Sequence, residues 1–238
     1  MSPLQNHIGV GIDTYVIFAA DGEGGAGDLY AAPAAGGPVY PLTYTRQHES
    51  APALSPDGVM LAYVRARSVA DSANATVWVM NLLSGSEREV KIPAGTTPNR
   101  LGWSPDGHWL FVRGSTGDLM APAPPSSGAA ESVGAKSRPG ADSALSVLLG
   151  EPPFARVVGC DSVPGLCVVG DSGKQSVLTL RGRDPVRWGG DSVAYFVGID
   201  LQVRPLRGGS SREPRWTEMP AGPRSLTVFS SPPPSPSP

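Results

Sequence analysis

The stretch Ser55-Pro56-Asp57-Gly58 recurs 49 residues later as Ser104-Pro105-Asp106-Gly107. In each copy, the proline fixes φ near −65° at the first corner of a turn, the aspartate caps the turn, and the glycine takes the position with φ > 0. An apolar run follows each copy, Met60–Val64 in the first and Trp109–Val112 in the second. The motif therefore predicts a tight turn between two antiparallel strands, and it predicts this turn twice.

Weaker copies of this hairpin extend the repeat along the chain. Trp188–Val197 is similar to the second copy, and fainter copies begin near Val10 and Val158. Hairpins then start near residues 10, 54, 103, 158 and 188, at spacings of 44, 49, 55 and 30 residues. Repeats of about 40–50 residues with four strands each are typical of β-propellers. The sequence therefore predicts an all-β fold, a β-propeller of about five four-stranded blades that is incomplete or degenerate if its ring does not close.

The composition also favours many short strands. Of the 238 residues, 30 are glycine and 26 are proline, which is about twice the usual share and leaves little room for long helices. A chain of this length buries about 70% of its surface on folding. The fold therefore needs neither a disulfide framework nor a structural metal for its stability.

The order of these motifs resembles the PD40, or WD40-like, repeat of TolB-like propellers. In that repeat, the SPDG turn and an apolar strand are followed by a run such as Thr76–Leu82, a turn and an outer strand. Asp28–Thr43 is similar to the third and fourth strands of the same repeat and ends in its typical Leu-Thr. The similarity is good over residues 14–113 and loose over residues 155–219. The resemblance implies a bacterial propeller of the kind found in TolB and in front of some peptidase domains, and it identifies no activity.

The chain divides into a predicted propeller and a tail. The propeller is expected over residues 8–219, with an irregular insertion at residues 121–153 that is poor in strand signals. Residues 220–238 end in Ser-Pro-Pro-Pro-Ser-Pro-Ser-Pro and are interpreted as a Pro/Ser-rich disordered tail. The alternative is a polyproline segment that binds an aromatic groove.

Two glycine-containing motifs match sites of chemistry only in part. Gly22–Gly27 fits the pattern GxGxxG, but the residues that follow predict a strand where a nucleotide site needs a helix. Gly170–Gly173 resembles the nucleophile segment of chymotrypsin-type proteases, but none of the three histidines lies in the sequence expected around a catalytic base. We therefore predict that the protein is not an enzyme and has no catalytic residues.

Composition also limits the ligands. Three dispersed histidines and two cysteines show no zinc-ligand spacing, so we expect no metal and no cofactor. A net charge of −2 argues against nucleic acid as a partner, and no apolar run is long enough to predict a membrane span. Cys160 and Cys167 flank a six-residue segment typical of a hairpin turn, and both free thiols and a disulfide fit that spacing.

The candidate binding residues lie in the connections that enter the innermost strands of the blades, because these connections surround the mouth of a propeller channel. They are Arg46, His48, Glu49, Asn99 and Arg100. These residues are polar and mixed in charge, and loops on a rigid scaffold often carry binding residues. The sequence therefore predicts a non-catalytic scaffold that binds a protein or peptide, and an unclosed propeller edge would add self-association.

The alternative function is the sensor or regulatory portion of a larger enzyme, a peptidase or kinase whose catalytic domain is absent from this chain. The compartment is open as well. The first ten residues contain no lysine or arginine and do not resemble a signal peptide, which favours the cytoplasm. A periplasmic or envelope-associated protein is expected instead if the native start lies upstream.

Overall fold

The computed structural model describes residue 4 and residues 7–22, 26–124, 130–132, 156–169, 173–188, 192–206 and 210–229. These residues form short strands and one 3₁₀ helix, Val69–Asn74. In chain order the strands are β1 (Tyr15–Asp21), β2 (Gly27–Pro33), β3 (Gly37–Pro38), β4 (Tyr40–Pro41), β5 (His48–Leu54), β6 (Met60–Ala66), β7 (Thr76–Asn81), β8 (Glu87–Val90), β9 (Pro98–Trp103), β10 (Trp109–Gly114), β11 (Gly117–Pro122), β12 (Glu131–Ser132), β13 (Arg156–Gly159), β14 (Leu166–Val169), β15 (Gln175–Thr179), β16 (Gly182–Trp188), β17 (Ser192–Val197), β18 (Asp200–Pro205), β19 (Trp216–Thr217) and β20 (Arg224–Phe229).

The strands form five small antiparallel sheets that follow one another along the chain. Sheet 1 has the order β20-β1-β2-β4, sheet 2 contains β5 to β8, and sheet 3 contains β9 to β12. Sheets 4 and 5 have three described strands each, β13 to β15 and β16 to β18. A short parallel pair, β3 with β19, lies outside these sheets. The architecture is the predicted all-β propeller type, and no single closed sheet joins the described strands.

The two SPDG turns have the geometry that the motif predicts. Gly58 and Gly107 adopt φ values of 71° and 72°. The Asp57 carboxylate accepts hydrogen bonds from the Ser55 hydroxyl at 2.5 Å and from the Val59 amide at 3.0 Å. The turn at Ser104 repeats both bonds at 2.5 and 3.0 Å. The aspartates are therefore turn caps, as the sequence analysis interpreted them.

The last strand completes the first sheet, and this differs from the predicted domain boundary. β20 pairs with β1 in a register that places Phe229 opposite Tyr15. Residues 224–229 therefore belong to the propeller and not to the tail, because Leu226 and Phe229 bury their side chains against sheet 1 and its neighbours. Residue 4 and residues 7–14, the described residues before β1, contain no strand, and β20 supplies the inner strand of sheet 1 from the other end of the chain.

Four apolar clusters hold neighbouring sheets together. They lie between sheets 2 and 3, sheets 1 and 2, sheets 1 and 5, and sheets 4 and 5. Among the residues that the structure describes, no core cluster joins sheet 3 to sheet 4. The sheets are thus arranged in the order 3-2-1-5-4. Residues 133–153 of the predicted insertion fall outside the described ranges, as do residues 154 and 155 before sheet 4.

Several sequence motifs can be placed on this fold. Cys160 and Cys167 form a disulfide across the β13–β14 hairpin, with their Cα atoms 5.1 Å apart. Gly27–Pro33 is the strand β2, as predicted for the residues after the GxGxxG pattern. The centre of that pattern, residues 23–25, lies outside the described residues. The same is true of residues 170–172 of the protease-like motif and of residues 230–238 of the predicted tail.

Candidate functional site

The innermost strands define the two faces of the molecule. These strands are β20, β5, β9, β13 and β16, and each pairs antiparallel with the second strand of its sheet. We call the face at which they begin the front face and the opposite face the back face. The β10–β11 turn also lies at the front, since Ser115 Oγ accepts a hydrogen bond from the Thr97 amide at 3.0 Å just before β9. The SPDG turns lie at the back.

All five predicted site residues lie at the front end of β5 or β9, but only three of them are exposed. Arg46, Asn99 and Arg100 face solvent. Arg100 is opposite Arg113 in the register of β9 and β10, and Arg113 forms a salt bridge with Asp118 at 2.9 Å. The front face therefore presents guanidinium groups beside the start of two inner strands.

His48 is half-buried and links sheet 2 to sheet 1. Its Nδ1 accepts a hydrogen bond from the Gly27 amide at 3.1 Å. Burial, together with the nearby Arg224 guanidinium, lowers the pKa of His48, which favours the neutral ring that this bond requires. A Cβ atom at Gly27 would lie 2.5 Å from that nitrogen. The last glycine of the GxGxxG pattern thus makes room for His48.

Glu49 lies inside the molecule, which corrects its expected place at the channel mouth. Its side chain is 0% exposed. Oε1 accepts hydrogen bonds from Thr45 Oγ1 at 2.7 Å and from Arg65 Nε at 3.0 Å. Oε2 is buried, and it has no hydrogen-bond partner among the described residues. Successive side chains of a strand point to opposite faces. Glu49 lies near the exposed end of β5, but its side chain is on the face that is buried in the sheet junction.

Arg65 is the centre of a polar cluster at the junction of sheets 1 and 2. Its Nη2 lies 2.9 Å from Glu87 Oε1 and donates to the Tyr63 hydroxyl at 2.7 Å. The guanidinium carbon also lies 4.7 Å from the centre of the Trp78 ring. We call Asp28, Glu49, Tyr63, Arg65 and Glu87 the Arg65 cluster. No local sequence pattern indicates this cluster, because its members come from four different strands.

Carboxyl groups outnumber cations in this cluster. Burial raises the pKa of Glu49 above its ordinary value, against the lowering effect of hydrogen bonds from Thr45 and Thr43 and of the Arg65 charge. Burial also raises the pKa of Asp28, whose Oδ1 accepts a hydrogen bond from Thr43 Oγ1 at 3.3 Å. Burial therefore favours the protonated forms of both Glu49 and Asp28 beside the Arg65 charge.

The front face also carries exposed apolar side chains, which no motif in the sequence predicts. Tyr44 is 79% exposed, Val69 67% and Ile199 53%. Tyr44 precedes β5, Val69 begins the 3₁₀ helix after β6, and Ile199 lies in the β17–β18 turn. The exposed Arg46 follows Tyr44 by two residues. This face therefore combines aromatic, aliphatic and guanidinium groups, the types enriched in protein interfaces.

Three inner strands are bent just behind the front face. Ala51, Asp184 and Ser225 have positive φ values of 50°, 52° and 53°. Each lies where the register of its strand shifts against the neighbouring strand. Bulges of this kind twist a strand and redirect its end, and they recur next to functional sites. The same irregularity therefore recurs in three of the five inner strands, β5, β16 and β20.

The back face contains a groove between sheets 1 and 5, which we call the back groove. Its two parts enclose about 520 and 530 Å³ and share Trp188 and Arg212. The remaining wall residues include His7, Asp13 and Thr14. The His7 ring is stacked on Tyr40, with the ring centres 4.3 Å apart. The groove thus offers flat rings, a guanidinium group and a carboxylate along one path.

Within the described ranges, no group of three or more histidine, cysteine, aspartate or glutamate side chains is placed to hold a metal ion. No helix in the described part of the chain is both long enough and apolar enough to span a membrane.

Comparisons with known proteins show the fold. No family model and no curated protein matches the sequence. A chain of the nidogen/laminin complex is 9% identical, with a TM-score of 0.57 over 92% of this chain and 99% of that chain. TolB from Acinetobacter baumannii is 14% identical, with a TM-score of 0.46 over 88% of this chain. The β-propeller domain of the Trilobed protease from Pyrococcus furiosus is 12% identical, with a TM-score of 0.31 over 84% of this chain and 52% of that chain.

These structural neighbours are TolB-like and other propeller proteins. The chain spans 54% of the length of the TolB chain that it matches. At 9% identity, the similarity to the chain of the nidogen/laminin complex shows the fold alone. What this chain binds must therefore be argued from its own residues.

Proposed function

We propose that this chain is a non-catalytic propeller scaffold that binds a protein or peptide segment at its front face. The observation that carries the proposal is the shared exposure of Tyr44, Val69 and Ile199 on the face that also presents Arg46 and Arg100. Tyrosine and arginine are the residue types that most often dominate binding energy in protein interfaces.

The scaffold behind this face is well suited to hold it. The front end of β5 is tied to sheet 1 by the bond from Gly27 to His48 and to β6 by the bond from Arg65 to Glu49. Binding costs less when the receptor side chains and loops are ordered beforehand. The guanidinium groups of Arg46 and Arg100 favour a partner segment with acidic side chains.

A site-specific cross-link tests this proposal. A photoreactive amino acid replaces Asn99 at the front, and a control protein carries it at Ser86, an exposed residue beside the β7–β8 turn at the back. In source cells we expect discrete higher-mass products from the Asn99 position and none from Ser86. Arg46→Glu should weaken the front products. Equal products from both positions, or products unchanged by Arg46→Glu, would refute a front binding face.

The alternative from the sequence, a regulatory portion of a larger enzyme, makes a different prediction. It requires a native polypeptide larger than the 24.6 kDa of this chain. An immunoblot of fractionated source cells measures this size and the compartment together. A single band near 24.6 kDa would contradict the regulatory alternative.

Self-association through a sheet edge is a further proposal. β15 is the outermost described strand of sheet 4, and its Val177 is 54% exposed. An open strand edge with exposed apolar side chains is a template for pairing with another chain. Sedimentation at increasing protein concentration should show dimers that Val177→Lys removes. A monomer at all concentrations would contradict it.

A further inference from the structure

The loop between β4 and β5 presents the exposed Tyr44 at the front face and is fastened on either side of it. Thr43 Oγ1 donates a hydrogen bond to Asp28 Oδ1 at 3.3 Å. Thr45 Oγ1 donates to Glu49 Oε1 at 2.7 Å, and the Thr45 amide donates to Asp28 Oδ1 at 3.4 Å. The position of this loop therefore depends on two carboxyl groups, those of Asp28 and Glu49.

These two carboxyl groups are buried and bonded to each other. Asp28 is 5% exposed, and Glu49 is 0% exposed. The Asp28 carboxylate accepts a hydrogen bond from the Glu49 side chain. Because an ionised carboxylate can only accept, this bond requires a proton on Glu49. Glu49 Oε1 already accepts from Thr45 and Arg65, which leaves Oε2, the oxygen without another partner among the described residues, to carry the proton.

The charges around the pair favour the retention of this proton. Arg65 of β6 lies 3.0 Å from Glu49 and also pairs with Glu87 of β8 at 2.9 Å. One guanidinium group is therefore present for three carboxyl groups, and a second buried negative charge beside that of Asp28 is costly. The other titratable groups at this junction have partners of their own; they are Tyr63, His48, Arg224 and Asp21.

We propose that Glu49 and Asp28 share one proton, and that this proton fastens the β4–β5 loop and so holds the front face in place for binding. This regulation rests on the binding face proposed above. Burial raises the pKa of Glu49, so the proton is lost as the pH rises above the ordinary range of a glutamate. Two adjacent carboxylates then repel each other, and this separates the groups that hold Thr43 and Thr45.

Amide hydrogen exchange in the full chain, measured against pH and corrected for the intrinsic exchange rate, tests this proposal. The Thr45 and Gln47 amides report on the loop, because they donate to Asp28 Oδ1 at 3.4 Å and to Thr45 Oγ1 at 3.1 Å. Their protection should fall about tenfold as the pH rises through the raised pKa of Glu49, since one hydrogen bond is lost.

Three variants separate the shared proton from the rest of the fold. Glu49→Gln supplies an N–H in place of the proton, so protection of the loop should stay high at every pH. Thr45→Val removes the hydroxyl group that joins the loop to Glu49, so protection should be low at every pH. The matched control is Glu89→Gln on the outer strand β8, which should keep the pH dependence of the parent.

The outcomes distinguish this proposal from the binding face on which it rests. A fall in protection that occurs in the parent and is absent from Glu49→Gln supports the shared proton. A fall of equal size in both proteins, or in neither, overturns it. The cross-links from Asn99 in source cells judge the binding face separately. Their absence beside a pH-dependent loop would refute that face alone, and their presence beside a pH-independent loop would refute the shared proton alone.

Discussion

Sheet 2 buries two faces, and only one of them adds a polar cluster to its apolar packing. The face towards sheet 1 carries Tyr63, Arg65 and Trp78, and it contains the Arg65 cluster. The face towards sheet 3 is apolar, with Val64 and Val77 among its buried residues. Both faces come from the same strands by alternation. The junction with sheet 1 therefore adds matched polar partners to an apolar cluster, whereas the junction with sheet 3 depends mainly on close packing.

This difference decides how each junction fails. An apolar junction loses stability in proportion to the volume and contacts removed. A polar junction fails abruptly, because removal of one partner leaves the other buried without compensation. The losses of stability caused by substitutions on the two sides of sheet 2 should therefore differ by more than the change in side-chain volume explains.

The largest effect is expected from Glu49→Ala. This substitution leaves Arg65 Nε without its acceptor in a buried site, and such a loss costs about 3–5 kcal/mol of the free energy of unfolding. Urea denaturation measures it. The control is Glu89→Ala, which removes an exposed pair with Lys91 at 2.9 Å and should cost about 1 kcal/mol or less. Similar costs for the two glutamates would mean that the Arg65 cluster does not hold the junction.

The two SPDG glycines provide the next comparison. Both have φ near +70°, so an alanine at either position carries backbone strain of about 1–3 kcal/mol. A Cβ atom at Gly58 would also lie 2.7 Å from the Phe229 ring, whereas the nearest atom at Gly107 is Pro56 Cδ at 3.9 Å. Gly58→Ala should therefore lower the free energy of unfolding by about 1–3 kcal/mol more than Gly107→Ala, because it overpacks the β20 contact.

Equal costs at the two glycines, measured by urea denaturation, would contradict the close packing of Phe229 on the first turn. That contact matters because β20 completes sheet 1 from the far end of the chain. A larger loss at Gly58, together with weaker protection of β20 amides from hydrogen exchange, would show that the turn and the last strand depend on each other.

The turns and the apolar face could be predicted from the sequence, and the polar junction could not. The turn is encoded locally, by Ser55 to Gly58 and by the repeat at Ser104, so two copies of one motif identify the hairpins. Glu49 was placed at the channel mouth because its neighbours are polar. Its burial depends on Arg65, sixteen residues away, and on sheet 1. A buried ion pair between distant strands leaves no periodic pattern in a single sequence.

The place of β20 could not be predicted for a related reason. Residues 224–229 read as part of the Pro/Ser-rich tail because they adjoin it, and their partner β1 is about two hundred residues earlier in the chain. The back groove was missed in the same way, since His7, Trp188 and Arg212 come from separate segments. The turn motif is local in the sequence and identifies the repeat. The packing of the sheets brings His7, Trp188 and Arg212 together from distant segments.

A smaller effect is expected on the apolar side from Trp103→Phe. Trp103 Nε1 donates to the Ala53 carbonyl at 2.9 Å, which links sheet 3 to β5. Loss of the donor leaves this buried acceptor unsatisfied, at a cost of about 1–3 kcal/mol. The comparison is Trp78→Phe, whose Nε1 donates to the less buried Thr76 hydroxyl at 2.9 Å. A greater loss of stability for Trp78→Phe would contradict the conclusion that the bond from Trp103 to Ala53 stabilises the junction of sheets 2 and 3.

The smallest expected effect is a pH dependence confined to the polar junction. Burial raises the pKa of Glu49 and Asp28, so the folded chain holds protons more tightly than the unfolded chain does. This contribution to stability is complete below the ordinary pKa values of 3.8 for Asp28 and 4.5 for Glu49, and it is lost as the pH rises through the raised values. The melting temperature of the parent protein should therefore fall as the pH rises from the ordinary to the raised pKa values of these two groups.

Glu49→Gln, which cannot ionise, should flatten this decline in melting temperature, and Glu89→Gln should leave it unchanged. If the profile of Glu49→Gln coincides with that of the parent, the proton is held elsewhere, and the excess of carboxyl groups around Arg65 is not what makes the two faces of sheet 2 respond differently.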